Sequence, residues 1–166
     1  MQISTRCIMK KIALVLIVLT FSGCFISAGT LGGFKAIDFP VSKRKLVSAI
    51  DSLYKSYPEY KIPDKWKSFD DWHARGYDFL DSRIFYFKLA PEEMYYISFI
   101  GDANNATQTD TTLSSLSIRA VFNDAPKWLL EQDFNSVDKE RIQKRFYNEI
   151  ITKLEYYTKS KSIQEN

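Results

Sequence analysis

His73, the single histidine of the chain, stands among Asp70, Asp71, Asp78 and Asp81. An imidazole oriented by a carboxylate is a common general base. The sequence supplies little to go with it. No serine occupies a G-x-S-x-G turn, and the two cysteines, Cys7 and Cys24, both lie near the N-terminus, so no nucleophile accompanies the base. Zinc calls for several His or Cys ligands, and a calcium loop has a spacing that these aspartates do not follow. No metal and no cofactor is expected, and His73 reads as a surface or capping residue. Glu92-Glu93 lies in a turn, with nothing to fix a second carboxylate at glycosidase distance. The expectation is a non-enzymatic protein. A cell-wall or lipid hydrolase is the alternative, and it would need a cleft joining His73 to nearby carboxylates.

Cys24 carries a different chemistry, that of a thiol at a processing site. Arg6, Lys10 and Lys11 form a basic start, Ile12 to Phe21 an apolar stretch, and Ser22-Gly23 the small residues required before a cut. The apolar stretch is about half the roughly 20 residues a spanning helix needs. Phe21-Ser22-Gly23-Cys24 resembles the lipobox of bacterial lipoproteins, with Phe21 where that family usually has Leu. The resemblance implies a signal peptide over 1–23, diacylglycerol on the Cys24 thiol and a lipidated tether over 24–33. An ordinary secretory cut after Ala28 and an uncleaved anchor are the other readings, and both still export the domain. Phe25 stands where an Asp would retain such a protein in the inner membrane, and Phe25 to Thr30 carries no acidic cluster of the kind that directs some lipoproteins to the cell surface. The expected location is the outer membrane, facing the periplasm.

The formal charge of +3 comes entirely from Arg6, Lys10 and Lys11. Past the signal, basic and acidic side chains balance. Export and a neutral domain leave no nucleic-acid partner. With Cys7 removed and Cys24 lipidated, no disulfide forms, and packing alone must hold the fold. A tether as short as 24–33 keeps the domain near the membrane surface.

The remaining elements follow from periodicity. Phe34 to Phe39 reads as a first strand that ends at Pro40, and Ser42 as a helix N-cap. Behind it Leu46, Ile50, Leu53, Tyr54 and Tyr57 form one stripe that stops before Pro58. The basic run Lys43-Arg44-Lys45 falls in that helix's first turn, where the dipole disfavours it. Phe85, Phe87 and Leu89, then Tyr95, Ile97 and Phe99, alternate on two strands, 83–89 and 95–101, joined through Ala90-Pro91-Glu92-Glu93. A third strand, Leu116 to Phe122, places Leu116, Ile118, Ala120 and Phe122 on one face. Ser136 reads as the N-cap of a last helix with the stripe Ile142, Phe146, Ile150, Leu154 and Tyr157. Gly101 to Thr112 reads as an exposed loop with two short glycosylation-like signals, Asn105-Ala106-Thr107 and Asp110-Thr111-Thr112.

The order β-α-β-β-β-α predicts a single α+β domain over 34–161 with a tail over 162–166. Its core would be an antiparallel sheet of about four strands, with two helices packed on one face and the other face wetter. Element order and Ile37-Asp38-Phe39-Pro40 leading into the first helix resemble helix-grip envelope lipoproteins, one of which acts in outer-membrane protein assembly. Two aromatic groups could bind a partner: Trp66, Phe69 and Trp72, three residues apart, and Tyr86, Tyr96 and Arg119 on the open sheet face. Trp and Tyr are large anchors with polar handles. For both groups, packing within the domain is the competing reading. The expected function is an anchored accessory or assembly factor that binds an envelope protein. An immunity lipoprotein that neutralises a delivered toxin is a second binding alternative.

Overall fold

The computed structural model of the chain describes residues 33–78, 80–100, 112–123 and 127–164. The leader, Cys24 and both glycosylation-like signals except Thr112 lie outside the described residues.

The first strand, β1 (Ile37–Phe39), leads through Pro40 to α1 (Lys43–Ser56). Ser42 caps α1, its side chain accepting from the Lys45 amide, and Leu46, Ala49, Ile50 and Leu53 turn one buried stripe to the sheet. The Tyr57 N–H closes the last turn on the Leu53 carbonyl, and Pro58, with no N–H to donate, stops the helix. Lys43 in the basic first turn is turned outward to Asp81 at 3.0 Å and lies over the Phe99 ring.

Three longer strands follow: β2 (Ser82–Phe87), β3 (Glu93–Ile100) and β4 (Ser114–Phe122). Two-residue strands β5 (Trp128–Leu129) and β6 (Ile163–Gln164) complete an antiparallel sheet of six, in the order β2-β3-β4-β1-β6 with β5 on the far end of β4. The domain is therefore α+β, with two short strands beyond the expected four. The tail expected past Lys161 supplies one of them. Between α2 (Ser136–Phe146) and α3 (Thr152–Thr158) the chain makes a π-turn over Tyr147–Ile151, so the expected last helix is one rod with a widened turn inside it. Its N-cap is Asn135, which accepts from the Asp138 amide, one residue before the expected Ser136.

The alternation expected in β4 breaks at Arg119. Tyr96 pairs with Ala120 and Ile97 with Ile118, so Arg119 is the extra residue of a β-bulge. Leu116 and Ile118 face the helices before the bulge, and Val121 does so after it, while Ala120 and Phe122 turn to the other side. Gly33 sits against this point. A Cβ there would lie 2.6 Å from Ser117 Oγ and 2.8 Å from the Ile118 carbonyl oxygen, and the Phe34 amide donates to that same carbonyl at 3.0 Å.

The second face of the sheet is not wet. Ile84, Tyr86, Met94, Tyr96, Ala120 and Phe122 are buried there beneath Trp72 and Trp128, with Trp66, Phe69 and Tyr77 packed at the margin. The cover is the irregular segment that includes a 3-10 turn at Asp64–Phe69. Trp72 stacks on Tyr96 with ring centroids 4.0 Å apart, and Trp128 Nε1 donates to the Phe69 carbonyl at 2.8 Å. A sheet with helices on one face and an aromatic layer on the other has two apolar cores.

Candidate functional site

The sequence-predicted groups separate once placed. His73 is exposed, Asp71 pairs with Arg75 at 2.8 Å, and Asp81 is shared between Arg83 and Lys43. Among the described residues no group of three His, Cys, Asp or Glu side chains is placed to hold a metal ion. Trp72, Tyr86 and Tyr96 are buried in the second core, and Trp66 and Phe69 are half-buried at its edge. Trp66 meets Tyr86 and Phe122 edge-on at 5.5 and 5.2 Å. Arg119, on the bulge, donates from Nε to Ser98 Oγ at 2.8 Å, and burial lowers its pKa below the usual guanidinium value. These side chains are spent on packing; little of them is presented to a partner.

Only the rim of that layer reaches solvent. Tyr86 hydroxyl donates to Glu92, which also pairs with Lys65 at 2.5 Å. The two contacts hold the Glu92 carboxyl below its ordinary range, and burial with the Glu92 bond pushes the Tyr86 phenol up to about 12. The group ties the β2–β3 turn to the aromatic cover.

A second polar cluster lies under the helices. Glu93, 1 % exposed, accepts from Arg141 through both carboxylate oxygens at 2.8 and 2.9 Å, from Arg145 at 3.2 Å and from the Tyr95 hydroxyl at 2.8 Å. Arg145 continues to the Leu89 and Pro91 carbonyls and to Glu149. The bonds to Glu93 raise the Arg141 pKa, and burial raises that of Tyr95. Both carboxylate oxygens have donors, one on Oε1 and three on Oε2, which fixes α2 over the β2–β3 turn.

The space between α2 and the β1/β4 strands is different. A cleft of about 640 Å³ opens there, within the range of small-molecule sites. Ile37, Leu116, Ile118 and Phe146 form its floor. Lys35 and Ala36 stand on the strand wall, Glu140, Gln143, Lys144 and Tyr147 on the helix wall, and Gln164 of β6 at one side. Its helix wall runs into the π-turn at Tyr147, a feature frequent at functional sites. After the π-turn Leu154, Glu155 and Thr158 are buried and Tyr157 packs at the core's margin. Glu155 accepts from Ser162 N at 3.0 Å and Ser162 Oγ at 2.8 Å and pairs with Lys161 at 2.7 Å. That clasp turns the chain back, through Lys159 in the left-handed region (φ 53°), and seats β6 beside β1. Thus the sheet edge by the cleft depends on a buried carboxylate.

Sequence reasoning named none of these lining residues as a site, since they come from four separated stretches and carry no motif. The cleft joins an apolar floor to a rim of charged and neutral polar side chains. In comparison with known proteins, no family model, no curated protein and no solved structure matches the chain.

Proposed function

We propose that the chain is an envelope lipoprotein, anchored through Cys24, that works by binding, as an accessory or assembly factor of an outer-membrane complex. The observation that carries the binding role is the cleft between α2 and β1/β4, with a buried apolar floor and a polar rim. The anchor rests on Phe21-Ser22-Gly23-Cys24 and its leader, and a tether as short as 24–33 would keep the domain near a membrane surface. We read the arrangement as helix-grip in type, with α1 and the α2–α3 rod on one sheet face and the aromatic layer as an addition on the other. In-cell crosslinking of the tagged full chain, with mass spectrometry of what is recovered, tests the role. The expected result is one saturable species, lost when Phe146→Ala opens the cleft floor and reduced in Cys24→Ala, which cannot be lipidated. Metabolic labelling with a palmitate analogue should mark the parent and not Cys24→Ala. Labelling of both would refute the anchor, and recovery unaffected by changes to the cleft would refute the site.

A further inference from the structure

The cleft's chemistry narrows what can enter it, and this inference rests on the reading of the cleft as the binding site. Its floor is aliphatic and aromatic: Ile37, Leu116, Ile118 and Phe146, each at most 8 % exposed. Peptide occupants are disfavoured by the backbone there. β1 is itself paired on both sides, with β4 and with β6, so a chain lying over the floor finds no unpaired edge of β1; the sheet's free edge is β6, at one side of the cleft. A peptide laid on this floor would bury N–H and C=O groups without partners, at a cost of roughly 1–3 kcal/mol each. An alkyl chain carries no such groups.

The rim supplies the other half of the match. Lys35 on the strand wall and Lys144 on the helix wall are exposed, and neither stands in an ion pair among the described residues. Glu140 is the rim's single carboxylate, so the mouth keeps an excess of positive charge from opposite walls. Gln143, Tyr147 and Gln164 add neutral hydrogen-bonding groups beside it. We propose that the cleft takes a single-chain anionic amphiphile, such as a fatty acid or a lysophospholipid, with its alkyl chain on the Ile37–Leu116–Ile118–Phe146 floor and its anionic head between Lys35 and Lys144.

The test uses the full chain in its own membrane. Gln143 is replaced by p-benzoylphenylalanine, whose ketone inserts into nearby C–H bonds on irradiation, and the peptide containing residue 143 is weighed. The expected product is an adduct with the mass of one single-chain lipid, absent without light, with a yield reduced about tenfold in Lys35→Glu with Lys144→Glu. Both lysines are exposed, so the double variant should melt with the parent. An adduct to an envelope protein would overturn the amphiphile while leaving the cleft a binding site. Lipid adducts of unchanged yield in the double variant would overturn the role of the two lysines and with it the anionic head. An adduct to the chain's own residues 24–32, or no adduct at all, would overturn both the amphiphile and the reading of the cleft as a binding site.

Discussion

Glu93→Gln tests whether the cluster under α2 holds the helix layer to the sheet. The substitution keeps the shape of the side chain and removes its charge, leaving Arg141 and Arg145 facing a neutral amide. Arg141 is 35 % exposed and can recover water, whereas Arg145 is 11 % exposed and cannot. Breaking a buried ion pair from one side typically costs 3–5 kcal/mol. Partial rehydration of Arg141, and the carbonyls of Leu89 and Pro91 that Arg145 still holds, put the expected loss at the low end, about 3 kcal/mol. For a domain of this size that corresponds to a fall in melting temperature of about 10 °C. Chemical denaturation of the parent, Glu93→Gln, Arg145→Met and the double variant measures it, and the double-mutant cycle should show a coupling above about 1 kcal/mol. A Glu93→Gln protein that melts within about 3 °C of the parent, or a cycle that is additive, would refute the view that this network fixes α2.

Three further outcomes are expected. Gly33→Ala should cost about 1–3 kcal/mol, because its Cβ would meet Ser117 Oγ at 2.6 Å and the Ile118 carbonyl oxygen at 2.8 Å; a thermal melt equal to the parent's would show that the β4 bulge can shift to admit a methyl group. Trp72→Ala should cost about 3–5 kcal/mol by opening the second core above Tyr96, and urea denaturation reads it; a smaller loss would mean that the aromatic layer is a detachable cover. The C-terminal clasp should fail in acid. The Glu155 carboxyl is pulled below its ordinary value of 4.5 by Lys161 and Ser162, against the opposing effect of burial. Its contribution is therefore complete above about 4.5 and is lost as pH falls through the lowered folded-state value. Hydrogen exchange at the Ser162 amide, corrected for its intrinsic pH dependence, should accelerate over that range, and in Glu155→Gln it should be fast and insensitive to acid; unchanged protection in both would refute the clasp.

The parts of the fold that were legible in the sequence are those set by local chemistry. Ser42, the stripe from Leu46 to Leu53 and Pro58 define α1 almost to the residue, because a cap, an apolar face and a missing amide act within one helix. The β2–β3 pairing was legible for the same reason. The β4 bulge was not. Leu116, Ile118, Ala120, Val121 and Phe122 are apolar at enough positions to fit either phase, and the extra residue is fixed by the facing Tyr96 and Ile97. Nor was the covered second face. Trp66, Phe69 and Trp72 announced an aromatic surface, but the spacing does not say what it meets. One signal pointed the right way: Met94, Tyr95, Tyr96 and Ile97 are consecutive apolar residues, the pattern of a strand buried on both faces.

The cleft depends on geometry that no single segment encodes. The α2 helix divides its faces between two tasks. Arg141 and Arg145, four residues apart, reach down to Glu93, and Arg145 continues to Glu149, while Glu140, Gln143 and Lys144 turn to the opening. The first set holds one side of the rod against the sheet. Past the π-turn, Glu155 draws the returning chain into β6 and closes the side of the sheet next to β1. Past Leu154 the buried face takes in Glu155 and Thr158, with Tyr157 packed at the core's margin, which places the acid where it can seat β6. Two buried carboxylates, Glu93 and Glu155, thus pin the rod on either side of the stretch that forms the helix wall. The gap between them stays open because the residues that would fill it are long and polar, and their charged ends are better placed at the rim than on the floor.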